Sequence, residues 1–313
     1  MDVRTLLLGG HSVTVSGSDA VRLLDRCEGF ERFFTSKEQS EWTVSYGNRI
    51  SPWSDGLTLS RFCFEEIKSN CVFSRKGDCY QFVMYPETDG MPLVCMQYRT
   101  GDTTVYASAC TDMSAWRFSL WFACCLLGAC EGLTFVHSSV AVYRGEAVLF
   151  LGESGTGKST HTRLWLQHVA GSRILNDDSP LLSIESTGPV VYGSPWSGKT
   201  PCFHSKHFPL KALVRLSQAP RNAIRRLAVP EAFAAMQPSL PPALMQDNAL
   251  RSADGGVHTF LSDPLIHIIS ETISRVPVFH LQCLPDEAAA RLCCSAVFGT
   301  DEPVSSSCKK ELL

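Results

Sequence analysis

The chain has no long hydrophobic run, no block of like charge and no pair of cysteines at C-x-x-C spacing. Its most apolar stretch, Leu120 to Cys130, falls well short of the about 20 apolar residues that span a bilayer. No basic region followed by an apolar run opens it either, so the expectation is a cytoplasmic protein with no membrane partner. The 28 basic and 31 acidic residues leave a net charge of −3, which gives no pull towards nucleic acid. Cysteine is the exception to this scarcity, with 14 in 313 residues. Without a leader a disulfide framework is disfavoured. The adjacent pairs Cys124-Cys125 and Cys293-Cys294 fall inside apolar helical patterns, where cysteine packs as a small hydrophobe. Reduced, buried thiols are expected, and no ligand spacing supports a structural zinc. Internal repeats are also missing.

What is present is a phosphate-binding pattern. Gly152-Glu153-Ser154-Gly155-Thr156-Gly157-Lys158-Ser159-Thr160 satisfies G-x-x-x-x-G-K-[ST] at every defined position. Glycines let backbone N–H groups form a cradle, the Lys158 ammonium reaches the β- and γ-phosphates, and the Ser159 hydroxyl ligates Mg²⁺. Ala147 to Leu151 reads as a buried strand before the loop and Ser159 to His168 as a helix after it, the arrangement that presents a helix N-terminus to an anion. ATP and Mg²⁺ are the expected ligands.

Residues 1–112 read as a β-rich region of unassigned role. Thr5 to Leu8, Trp42 to Tyr46 and Tyr80 to Tyr85 are short apolar or alternating runs, and Leu93 to Tyr98 with Thr103 to Ala109 frames a hairpin. Ser18 to Phe34 has helical spacing. Residues 113–300 form the second region. Ser114 to Cys130 reads as a helix apolar on all sides, hence buried. Leu133 to Tyr143 reads as a strand joined by Arg144-Gly145-Glu146 to the strand that enters the phosphate loop. Leu181 to Ile184, Val190 to Tyr192, Ala212 to Leu216 and Pro277 to Cys283 read as further strands. Pro230 to Met236, Pro264 to Arg275 and a segment after Pro285 read as helices, and 301–313 as a frayed tail.

A phosphate loop alone does not choose among motors, switches and kinases, so a second acidic element must. Asp177-Asp178 follows Ile174-Leu175-Asn176. Two adjacent carboxylates can divide labour, one on Mg²⁺ and one accepting a proton; Asn-Asp-Asp-Ser-Pro is equally good chemistry for a polar turn. Gly193 to Thr200, with Trp196 and Lys199, reads either as a loop over substrate or as a surface turn anchored by its tryptophan. Arg215 ends a short strand, where a guanidinium neutralises transferred charge.

Val136 to Ser159, with His137, the hairpin, the loop and then the doubled Asp, resembles the catalytic core of the HPr kinase/phosphorylase family. The loop is also similar to the kinase loop of phosphoenolpyruvate carboxykinase, and Pro277 to Asp286 resembles the end of small HPr-kinase-like proteins found in peptide-modification clusters. The resemblance covers roughly 133–295. It implies an α/β fold with α+β character: a phosphoenolpyruvate carboxykinase-like P-loop domain with a mixed sheet, preceded by the β-rich region. It also implies roles. Lys158 and Ser159 bind phosphate and Mg²⁺, Asp178 supports the metal, Asp177 is the base, and His137, otherwise read as a packed strand residue, stabilises charge or exchanges a proton.

The long arginine-containing loop that holds HPr has no counterpart here, nor do the substrate arginine and manganese ligands of the carboxykinase. The expectation is therefore a kinase that moves the γ-phosphoryl group of ATP to a Ser-type hydroxyl of a peptide, protein or small molecule. A catalytically weak ATP-binding switch or scaffold, a small-molecule kinase and a carboxykinase-related enzyme are the alternatives, and self-association stays open.

Overall fold

Short runs rich in β-branched and aromatic residues build the first half of the protein. A computed structural model describes residues 2–36, 40–64, 67–88, 90–198, 201–248 and 261–299. Strands β1 (Val3–Leu8) and β2 (His11–Ser16) form a hairpin, and helix α1 (Ser18–Arg26) follows. Then come β3 (Trp42–Ser45), β4 (Leu57–Phe64), β5 (Ser69–Lys76), β6 (Cys79–Pro86), β7 (Val94–Arg99) and β8 (Thr104–Ala107). They make an eight-stranded mixed sheet in the order β1-β2-β3-β8-β7-β6-β5-β4. β2, β4 and β5 have no counterpart in the expected strands. The helical pattern of 18–34 also breaks, because Cys27 turns extended (φ −86°, ψ 112°) and Phe30–Phe33 forms a separate 3-10 turn. The break sends Phe30 and Phe33, both buried, into the core.

Helix α2 (Met113–Ala129) begins where the Asp112 carboxylate accepts from the Ala115 amide at 2.8 Å, the N-cap that completes an orphan donor. It is buried nearly all round, as its composition predicts. Phe122 meets Phe73 and Phe82 of the first sheet at ring centroid distances of 5.2 and 4.4 Å, while Trp121 meets Phe135 of the second at 5.5 Å. One continuous core therefore runs from sheet to sheet through this helix.

The second sheet is assembled from β9 (Leu133–Phe135), β10 (Ser138–Tyr143), β11 (Glu146–Leu151), β12 (Arg173–Asp178), β13 (Leu181–Glu185), β14 (Gly188–Tyr192), β15 (His207–Gln218), β16 (Ala223–Arg226) and β17 (Val278–Cys283). Its helices are α3 (Lys158–His168), α4 (Val229–Met236), α5 (Pro242–Met245), α6 (Ser262–Arg275) and α7 (Glu287–Phe298). The order is β12-β10-β11-β15-β14-β13-β9, with β17 pairing β15 further along and β16 beyond it. The whole is a mixed α/β protein with two mixed sheets.

The hairpin into the loop is present: β10 and β11 are antiparallel from Ser138↔Leu151 to Tyr143↔Glu146. Arg144 (φ 54°) and Gly145 (φ 80°) at its tip supply the two positive φ angles of the turn that matches strand twist. The expected strand Leu133 to Tyr143 is corrected. It breaks at Val136-His137, because β9 pairs with β13 whereas β10 pairs with β11 and β12. Ala212 to Leu216 is likewise only the middle of β15, whose ends contain Pro209, Lys211 and Ser217 and so lack an apolar signature. β15 runs parallel to β11 and to β17, and its first residues run antiparallel to β14.

Helices α3 and α7 cover the other face of β11, β15 and β17 over a second core that includes Phe150, Trp165, Leu281 and Cys293. Of the described cysteines all are free. Burial pushes the Cys124 thiol up to about 12, consistent with cysteine used as packing. No described helix is long and apolar enough to cross a membrane. The tail 301–313, and Lys199 and Thr200 of the tryptophan loop, lie outside the described residues.

Candidate functional site

Asp178, Ser138, Leu151, Arg215, His280 and Arg225 are successive register partners across β12, β10, β11, β15, β17 and β16. Register partners share a sheet face, so this rung lines up ionisable groups on both sides of Leu151, from which the glycine-rich loop departs.

The loop is folded on itself. Gly152 has φ 153°, and a Cβ there would lie 2.5 Å from Thr156 Oγ1, so a side chain would fill the cradle. Thr156 closes the turn by donating its hydroxyl to the Glu153 carbonyl at 2.8 Å. The chain then enters α3 at Lys158, whose ammonium points back into the loop. It donates to the carbonyls of Gly152 at 2.8 Å and Glu153 at 3.1 Å, and lies 3.0 Å from His137 Nε2. Lys158 is 8% exposed; burial holds its pKa below the ordinary value, with Asp178 and Asp177 pulling the other way. β15 braces the loop from the side, through Gln218 donating to the Gly155 carbonyl at 3.2 Å and Arg215 lying 3.7 Å from the Glu153 carboxylate.

Asp177 and Asp178 are the last residues of β12, not a turn. They differ in surroundings. Asp177 is 7% exposed and accepts from the Ser139 hydroxyl. Asp178 is more open, at 39% side-chain exposure, and its Oδ1 lies 3.5 Å from His137 Nδ1. His137 thus sits between Lys158 and Asp178, in the break that precedes β10. Packing around its ring, then the Lys158 charge, lowers its pKa, and Asp178 opposes them.

Asn176 fixes this pair. It is fully buried; its amide donates to the Ser194 and Trp196 carbonyls at 3.2 and 3.0 Å, and its carbonyl accepts from the Ser179 amide at 2.9 Å. Gly198 N–H donates to the Asp177 carbonyl at 2.8 Å, and Ser197 bridges to Asp178. The segment from Gly193 to Gly198 therefore closes the free edge of β12. Trp196 fits the reading in which the tryptophan anchors that segment, as a core residue rather than a surface one. It is 6% exposed, donates Nε1–H to the Arg117 carbonyl at 3.2 Å, and stands edge-on to Phe30 and Phe135 at 5.1 and 5.2 Å. Its ring anchors the segment in the core because a flat apolar body with one donor fits there.

Lys158, His137, Asp177 and Asp178 are thus brought together, with Ser159 in the first turn of α3 and Arg215 beside Leu151. Sequence reasoning missed Ser139 and Asn176. Ser139 carries a signal, lying in β10 two positions after His137, but its bond to Asp177 depends on the β10–β12 register. Among the described residues no cluster of three or more His, Cys, Asp or Glu side chains could hold a metal. The oxygen donors beside the loop are the Ser159 hydroxyl and the Asp178 carboxylate, the donor type that Mg²⁺ takes. No protein-family model matches the chain, and no curated protein matches it in sequence.

Proposed function

We propose that this protein is an ATP-dependent phosphotransferase of the HPr-kinase-like class, built on a phosphoenolpyruvate carboxykinase-like phosphate-loop domain, with a hydroxyl as acceptor. One observation carries the reading: the loop lysine and Asp178, the second of the paired aspartates, converge on His137 from two different elements, within hydrogen-bond and ion-pair range. The antiparallel hairpin into the loop and the parallel β15 beside it support the fold assignment.

The cradle from Gly152 to Thr160 would hold the triphosphate, and Lys158 would exchange its loop carbonyls for the β- and γ-phosphate oxygens. Ser159 and Asp178 would hold Mg²⁺, which when bound neutralises charge on the phosphates. Asp177, held by Ser139, accepts the proton of the acceptor hydroxyl while that oxygen bonds to the γ-phosphorus. The bond from that phosphorus to the β,γ-bridging oxygen breaks, and ADP leaves with its electron pair. Most of the acceleration then comes from positioning and charge neutralisation.

Purified protein incubated with γ-labelled ATP, Mg²⁺ and serine-containing peptides or hydroxylated metabolites tests the reading. Label transferred to an acceptor, and absent with Lys158→Met, supports it. Tight ATP binding with neither transfer nor hydrolysis favours a switch or scaffold.

A further inference from the structure

A cleft of about 300 Å³ opens beside the phosphate loop, lined by β15, β17, β16 and α4. Its floor is the outer part of the cross-strand rung: Arg215, His280 and Arg225 on three neighbouring strands. Leu227 and Ala235 give it an apolar wall. The three basic groups are not equivalent. Arg225 is satisfied by a two-pronged pair with Glu231 at 2.7 and 2.9 Å. His280 shares a hydrogen bond with Ser217 at 2.8 Å through Nε2, leaving Nδ1. The Arg215 guanidinium meets one carboxylate among the described residues, Glu153 at 3.7 Å, beyond hydrogen-bond length, and that carboxylate is 81% exposed. A planar fork of five donors, 28% exposed, therefore faces a cleft with no acceptor assigned to it, and guanidinium binds carboxylate or phosphate two-pronged.

The geometry points to this cleft as an anion subsite for the acceptor: the molecule that brings the hydroxyl to the phosphate loop also carries a carboxylate or phosphate, which Arg215 grips and His280 supports, with its carbon stem on Leu227 and Ala235. This rests on the phosphotransfer reading above and narrows it, because Arg215 is the register partner of Leu151, the residue from which the loop starts. An acceptor gripped there lies beside the loop.

The test uses the full chain with its loop filled by a nonhydrolysable ATP analogue and Mg²⁺. Malonate and inorganic phosphate are titrated in by calorimetry, with uncharged malonamide as control. At least one anion binds and malonamide does not; Arg215→Gln weakens the anion by about tenfold or more, and Arg215→Lys recovers part of the loss. The preferred anion tells a carboxylate-bearing acceptor from a phosphorylated one. No anion binding, equal affinity in Arg215→Gln, or malonamide binding as well as malonate overturns the subsite. If Arg215→Gln does not fold, His280→Gln at the same rung carries the comparison. Failure of the analogue to bind overturns the phosphotransfer reading instead, and the same titration on nucleotide-free Lys158→Met protein then decides the cleft alone.

Discussion

The ammonium of Lys158 lies 3.0 Å from Nε2 of His137, whose other ring nitrogen lies 3.5 Å from Asp178. An ammonium only donates, so Nε2 accepts and the neutral ring carries its hydrogen on Nδ1, towards the carboxylate. The three side chains form a line of alternating donors and acceptors ending in the loop.

That line predicts proton uptake on nucleotide binding. In the free protein, packing and the Lys158 charge keep the His137 pKa below 6.5. When phosphates draw Lys158 away and bring negative charge, the pKa rises, so the ring gains a proton as ATP binds in mildly acidic buffer. Calorimetry in buffers of different ionisation heat reads the uptake, which should vanish in His137→Gln. Equal uptake in both proteins would refute the coupling.

Asp177→Asn keeps the Ser139 contact but removes the proposed base. Nucleotide affinity should hold, while kcat falls by about 100-fold or more. Ser139→Ala, which frees the carboxylate to rotate, should lower kcat in the same direction by less. If Asp177→Asn instead loses ATP binding, the residue is a metal ligand and Asp178 becomes the candidate base.

Trp196 ties the segment from Gly193 to Gly198 to α2, so its truncation should act twice. Trp196→Ala costs about 3–5 kcal/mol of stability and also lowers transfer, since Asp177 and Asp178 lose the segment bridged to them. Trp196→Phe, which keeps a ring but not the bond to Arg117, costs about 1 kcal/mol. Urea unfolding and single-turnover transfer measure the two effects. Full transfer by a folded Trp196→Ala protein would argue against the coupling.

His161, on α3 beneath the loop, is 2% exposed and accepts from Trp165 Nε1 at 3.2 Å. Among the described residues its Nδ1 has no partner. Burial lowers its pKa to about 4. Protonation thus favours the unfolded chain: the contribution is complete above about pH 6.5 and is lost progressively as pH falls towards 4, on the order of 3 kcal/mol in all. His161→Phe is less stable at neutral pH, because Trp165 loses its acceptor, yet should lose less stability than the parent between these limits. Parallel acid slopes in urea unfolding would sink this account.

Local patterns carried the strand–loop–helix unit, the hairpin and α2, because each is written in consecutive residues with its own physical signature; they left the acidic pair open between a catalytic element and a polar turn. Register was not legible. Ser139 meets Asp177, and Arg215 meets His280, only through strand pairings that no local spacing encodes. Trp196 was half legible: its anchoring role is one of the two readings its segment allows, but no local pattern tells that Phe30, Phe135 and Arg117, from three remote segments, make its pocket. β15 was undercounted because its ends are polar where the sheet is thinly covered.

The placement of β15 has a consequence for how the chain is made. As synthesis proceeds, β10 and β11 emerge together and can close their hairpin, but the opposite edge of β11 stays open until β15 is out of the ribosome. Arg215 and Gln218, which steady the loop, arrive with that strand's last turns of synthesis. A fragment released earlier would carry the complete glycine-rich motif on a bare strand edge, with its loop unbraced.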